Sequence, residues 1–227
     1  MKKELKDILI PVDFKAPSLH AMEYGAQLAK RLKGDLILLN VLDTPGIIAD
    51  FFSSGQEIVK LTDIAKNKLA EQVKKLQSAH PDITITTRVE RGKPYQVILK
   101  IAGEIDARMI VLGENHQGDK RTKDLGSTVF HVTLKSRIPV LTLKGETRDP
   151  GDKIVVPLDL TKQMRRQLFS ALAYGINYNA EIHLVSVLIG GMRIRDSRIF
   201  RKMRRARRTI EENGVTCYTH LFKRSKI

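Results

Sequence analysis

An open α/β fold, with a mostly parallel five-stranded sheet and helices on both faces, is what this sequence predicts, on three observations. Apolar runs of strand length alternate with amphipathic stretches of helical period. The runs DILIPVD (residues 7–13), DLILLNVL (35–42) and RMIVLG (108–113) are apolar without alternation, as expected of strands buried on both faces. Finally, residues 6–42 match residues 151–188 at an offset of 146. Pro157 then falls on Pro11, Asp159 on Asp13, Val187 on Val41 and Leu188 on Leu42, with no gap.

Each element has its own reason. The first strand ends in turn chemistry at Asp13. Ser18 is placed to cap a helix that carries Leu19, Met22, Ala26 and Ala29 on one face and stops at Gly34. After the second strand, a helix from Glu57 to Ala79 repeats Ile58, Leu61, Ile64, Ala65, Leu69, Val73 and Leu76 at helical spacing. ITITTRVE, from Ile83 to Glu90, alternates with period two and reads as a strand. Pro94 opens a short helix, YQVILKIAGEI, before RMIVLG. A helix from Thr128 to Ser136 and a last strand, IPVLTLK from Ile138 to Lys144, complete the unit.

The second copy repeats strand, helix and strand. A helix from Arg198 to Asn213 and a strand VTCYTHLFK follow, and counterparts of the later elements are missing from the sequence. The expected organisation is a complete domain over residues 1–146, a linker over 147–152, and a partial second domain over 153–227 that lacks its C-terminal strands.

Composition narrows the setting. The 227 residues are 42% hydrophobic and 29% charged, the balance of a globular protein with room for one large or two modest cores. No apolar run approaches the ~18 residues of a transmembrane helix, and the short apolar stretch after MKKELK does not suit a signal peptide. Cys217 stands alone, so no internal disulfide can form; a cytoplasmic location is the expectation. Of the net charge of +15, residues 151–227 carry +10, mostly within MRIRDSRIFRKMRRARR from Met192 to Arg208. The ordinary reading is the wet face of a helix that buries Ile199, Met203, Ala206 and Ile210. Nucleic acid or an anionic membrane as partner is the less favoured alternative, and no aromatic pattern supports base readout.

The chemistry concentrates after the fourth strand, in GENHQGDKRTKDLGS (113–127). In an open α/β sheet, ligands bind beyond the carboxyl ends of the strands, where strand order reverses. Glycines and the start of a helix supply inward-pointing amides for phosphate. Gly126, Ser127 and Thr128 have that character, Asp13 can accept from a ribose, and Val41 can offer backbone groups to a base. Asp13 can equally cap its own turn, and Ser127 can be a helix cap and nothing more.

On these residues the chain resembles the universal stress protein family in its tandem form, over residues 5–144 and, shortened, over 151–223. The ATP-binding branch of that family carries Gly-x2-Gly-x9-Gly-[Ser/Thr] after the fourth strand and an Asp after the first. Gly113 matches the first glycine, and Gly126 with Ser127 the final pair. His116 stands in place of the second glycine, with Gly118 two residues on. The resemblance implies a Rossmann-like fold of the adenine nucleotide alpha hydrolase-like type, and ATP with Mg²⁺ as ligand. It implies adenine and ribose on Pro11, Val12, Asp13 and Val41, and a phosphate path along Leu112, Gly113, His116, Gly126, Ser127, Thr128 and Val129.

If the second glycine serves a positive φ, His116 costs about 1–2 kcal/mol there. An imidazolium beside a triphosphate would instead attract. Family members commonly pair through their final strand, so the resemblance implies a homodimer through the strand from Ile138 to Lys144. No nucleophile–base–orienter set is readable, so a binding protein rather than an enzyme is expected. Asp159 repeats Asp13 without a glycine loop, and no nucleotide is expected in the second half. The alternative function is a nucleotide-free stress protein acting as a dimerising module.

Overall fold

Strands apolar on both faces must be sandwiched, and parallel pairing with crossover helices does this. The computed structural model describes residues 7–43, 55–114, 126–144, 153–159, 164–189 and 198–224. The chain forms two compact units, residues 1–147 and 148–227.

In the first unit the elements run β1 (Ile8–Pro11), α1 (Ala16–Leu32), β2 (Leu36–Leu42), α2 (Gly55–Ala79), β3 (Ile85–Arg91), α3 (Pro94–Glu104), β4 (Met109–Gly113), α4 (Ser127–Lys135) and β5 (Val140–Leu143). The five strands are parallel in the order β3-β2-β1-β4-β5, with Ile8 opposite both Leu36 and Met109. Leu9, Ile37 and Leu39 pack against Ile98 and Ile101 of α3 and against Val129 and Val132 of α4. On the other face α1 closes onto β1 through Gly25, where an added Cβ would stand 2.2 Å from Ile10 Cδ1. Helices therefore cover both faces, as the sequence predicts.

Two local expectations change. Ser18 does not cap α1. The helix starts at Ala16 after Lys15, because Pro17, with φ already fixed at a helical value, fits the first turn. Ser18 lies buried inside that turn, its Oγ donating to the Lys15 carbonyl at 3.0 Å and accepting from the Asp13 N–H at 3.2 Å. On α2, Ala65, Leu69 and Leu76 are buried, but Leu61 and Ile64 are half exposed.

The second unit has β6 (Lys153–Pro157), α5 (Met164–Tyr178), β7 (Glu181–Ile189), α6 (Arg198–Glu212) and β8 (Cys217–Arg224), with the strands parallel in that order. Both helices lie on one face, where Ala171, Met203 and Ile210 pack with Val156, Ile182, Leu184 and Cys217. Burial pushes the Cys217 thiol up to about 11, the mark of an inert structural cysteine. The opposite face shows Val155 at 65% and Phe222 at 57% exposure, with no helix over it among the described residues of this unit. A polar ladder crosses it. Lys153 Nζ and His183 Nε2 reach Glu181 Oε1 at 3.2 and 3.0 Å, and His183 Nδ1 stands 2.9 Å from His220 Nε2. The hydrogen bonds from His183 and Lys153 hold the Glu181 carboxyl below its usual range.

Among the described residues no helix is long and apolar enough to cross a membrane.

Candidate functional site

Strand order reverses at β1. The chain steps outward from β1 to β2 and β3, then returns to β4 on the far side. The connections after β1 and β4 therefore leave in opposite directions, and a crevice opens between the two strand ends. It measures about 430 Å³. Pro11, Val12 and Asp13 from the end of β1, Val41 from β2, Leu112 and Gly113 from β4, and Gly126 to Val129 at the start of α4 all line it. The structure thus brings together every expected site residue except His116, which, like Gly118, lies outside the described residues.

Asp13 is held by its own turn. Its Oδ1 accepts the Lys15 N–H at 3.0 Å, and its Oδ2 lies 3.8 Å from Lys15 Nζ. The Asp13 side chain remains 57% exposed, so the carboxylate keeps acceptor capacity toward the crevice. Between them Phe14 sits at φ 63°, a left-handed conformation costing a bulky residue about 1–2 kcal/mol. The surrounding hydrogen bonds impose it: Asp13 N–H to Ser18, and Val12 N–H to the Leu39 carbonyl at 2.8 Å. Buried Asn40 adds a cross-link, its Nδ2 donating to the Val12 carbonyl at 2.7 Å.

The two glycines that frame the expected phosphate path differ physically. At Gly113 an added Cβ would stand 2.0 Å from the Pro17 carbonyl oxygen and 2.8 Å from Ser18 N. This glycine lets the first turn of α1 lie against the end of β4, a packing role. At Gly126 φ is −50°, and an added Cβ would meet no atom of the described residues within 4 Å. Neither its φ nor its described neighbours exclude a side chain. Gly126 is the N-cap of α4; the first amide bonded back into that helix is Phe130, to the Gly126 carbonyl at 3.0 Å. The amides of Ser127, Thr128 and Val129 have no partner within the helix and stand on the crevice wall, where the helix dipole is positive. Gly126 has no side chain with which to cap the helix.

Sequence reasoning missed Lys15, Pro17, Ser18, Leu39, Asp43, Pro94 and Ile98 on the same wall. Ile98 could have been found, since it follows the helical period of α3. Pro17 and Ser18 arrive only through the close approach at Gly113, for which no local signal exists. A groove of about 500 Å³ between α2 and β3, lined by Ala70, Val73, Lys74 and Gln77 among others, gathers no comparable set of groups.

The pattern of the universal stress protein family matches residues 4–144. This chain belongs to that family. A universal stress protein of Methanocaldococcus jannaschii is 30% identical over 156 residues, 61% of this chain and 94% of its own. A second from the same organism is 25% identical over 141 residues, 61% of this chain and 82% of its own. The crystal structure of a universal stress protein from Archaeoglobus fulgidus has a TM-score of 0.79 and covers 97% of this chain and 79% of its own. At 21% identity that is a likeness of fold.

The glycine geometry of this universal stress protein can be checked without any ligand. Gly113→Ala should lower stability by about 1–3 kcal/mol, because its methyl meets backbone rather than a flexible side chain. Gly126→Ala should cost less, at most about 1 kcal/mol for a poorer N-cap. Equal losses in urea denaturation of the two variants would contradict the distinction.

Proposed function

We propose that the first unit binds ATP as a conformational or signalling ligand in a cytoplasmic stress response. The observation that carries this reading is Gly126, a glycine required neither by φ nor by packing against the described residues, placed where helical amides face an open crevice. Space of about 430 Å³ falls within the range of small-molecule sites, about 300–1,000 Å³. Adenine would lie between Val12 and Val41, the ribose hydroxyls would donate to Asp13, and the phosphates would take the α4 amides with Ser127 and Thr128. A side chain at position 126 would project where phosphate must approach.

A triphosphate would bring its own Mg²⁺. Asp13 and Asp43 stand on the wall, and no cluster of three His, Cys, Asp or Glu residues forms a metal cage among the described residues. The role assigned is binding, not turnover. Occupancy would set conformation or partnership.

The chain is further proposed to be of tandem type with a partial second copy, on matching details at the offset of 146. Leu158 N–H donates to the Val185 carbonyl as Val12 does to Leu39, and Ser186 Oγ donates to the Leu158 carbonyl as Asn40 does to Val12. Lys33 and Asn179, at the ends of α1 and α5, both take left-handed φ, 52° and 50°. Asp159 borders a hollow of about 480 Å³ with Pro157, Val187 and Ile199, with no counterpart of the Gly126 step on its wall among the described residues. Nucleotide is therefore assigned to the first unit alone.

One observation favours the nucleotide-free alternative: Asp13 already has a partner in its own turn. Mass spectrometry of the denatured, freshly purified chain decides between the two. Adenine nucleotide near one equivalent, lost in Asp13→Ala with Gly126→Val, is the expected result. Full absence from a chain that also fails to take up added ATP would favour the dimerising module.

The proposed homodimer uses β5. Among the described residues it is an edge strand, paired only with β4, and a Val- and Leu-rich edge is prone to add a further strand. Sedimentation equilibrium should give a dimer mass that persists in Gly126→Val; a monomer at high concentration would remove this proposal.

A further inference from the structure

Helix α6 carries more positive charge than its place in the fold explains. Seven Arg or Lys residues stand in its fifteen against Glu211 and Glu212. Those two glutamates are taken by Arg207 and Arg208 one turn away, at 2.8 and 2.9 Å. Arg198, Arg201, Lys202, Arg204 and Arg205 are exposed and have no acidic partner among the described residues. Arg201 repels Arg204 and Arg205 at three and four residues' spacing. The cluster fills the amino-terminal half of the helix, the end where the dipole disfavours cations. Helix α2, which likewise leads from the second strand of its unit to the third, has five Lys and three acidic residues in 25. A crossover helix in this position thus holds without such crowding, and α6 bears a like-charge cost that a bound polyanion would remove.

Two observations choose among polyanions. A membrane-surface helix needs its apolar face free to enter lipid. Here Ile199, Met203, Ala206 and Ile210 are all buried against the sheet, from 1% to 7% exposed, so that face is committed to the core. Single-stranded nucleic acid is gripped by stacking on aromatic side chains. The exposed aromatics of this unit's sheet, Tyr218 and Phe222, alternate with core-facing Cys217 and Leu221 and stand on the sheet face away from α6. What remains is a solvent-facing bank of guanidinium forks, suited to phosphate oxygens and indifferent to base identity.

We propose that the exposed face of α6, through Arg201, Lys202, Arg204 and Arg205, docks the phosphate backbone of duplex DNA without sequence preference. The contact is independent of the nucleotide crevice in the first unit, so either reading can fail without the other.

The test is fluorescence anisotropy of a short random-sequence duplex DNA titrated with the full chain between about 50 and 200 mM salt. Each phosphate contact contributes about −0.9 to the slope of log K against log salt, so four contacts predict a slope near −3.6 and Arg204→Gln with Arg205→Gln should reduce it by about 2. The same titration is run with single strands of equal length and with phosphatidylserine–phosphatidylcholine vesicles. Weaker binding of both than of duplex supports the proposal. A slope unchanged in the double variant, tighter binding of single strands or vesicles, or no duplex binding at the lowest salt overturns it. Thermal melting of the double variant, expected at or above the parent midpoint because repulsion is relieved, separates lost contact from lost fold.

Discussion

The close approach of α1 to β4 across Gly113 governs the geometry of this molecule. A parallel sheet whose order reverses at β1 leaves a gap between the ends of β1 and β4. Its shape depends on how near the next helix can come. With no Cβ on Gly113, the Pro17 carbonyl and the Ser18 amide lie directly against the strand end. That contact carries Asp13 and Lys15 to the mouth of the crevice and sets them opposite the start of α4. The bent turn at Phe14 follows from the same demand, held by hydrogen bonds from Asp13, Val12 and Asn40.

The second unit repeats the strand-end device and then departs from the first. Ser186 does for Leu158 what Asn40 does for Val12, with a hydroxyl in place of an amide. In the first unit Leu9, Ile37 and Leu39 are buried under α3 and α4; at the offset of 146 the corresponding positions are Val155, His183 and Val185. Val155 is exposed, and His183 joins a ladder with Glu181 and His220. The strand face that is apolar in the first unit is partly polar in the second. Charge differs as well: α2 has a mixed surface, and α6 is rich in arginine.

Much of this could be read from the residues because the signals were local. Unbroken apolar runs such as LILL and MIVL suit interior parallel strands, and the PVD, LG and GST segments fall together once the strands are ordered. What escaped reading depended on contacts between distant segments. Ser18 has the composition of a cap, yet Pro17 draws the helix start back to Ala16 and turns the hydroxyl toward Asp13. Gly113 and Gly126 look alike as motif glycines. Only the positions of Pro17 and Ser18 reveal that packing requires the first, while the described residues leave room at the second. The helical period of α2 marked Leu61 and Ile64 as core with Leu69, although the sheet reaches only the latter.

The central claim is that the first-turn amides of α4 stand ready for an anionic ligand that must pass close to Gly126. Isothermal titration calorimetry of ATP into the full chain and into Gly126→Val tests it most directly. The account predicts saturable binding near one site per chain in the parent, and at least about a tenfold loss, some 1.4 kcal/mol, in a variant that melts like the parent. Equal affinities in the two proteins, or no heat of binding in a folded parent freed of nucleotide, would contradict it.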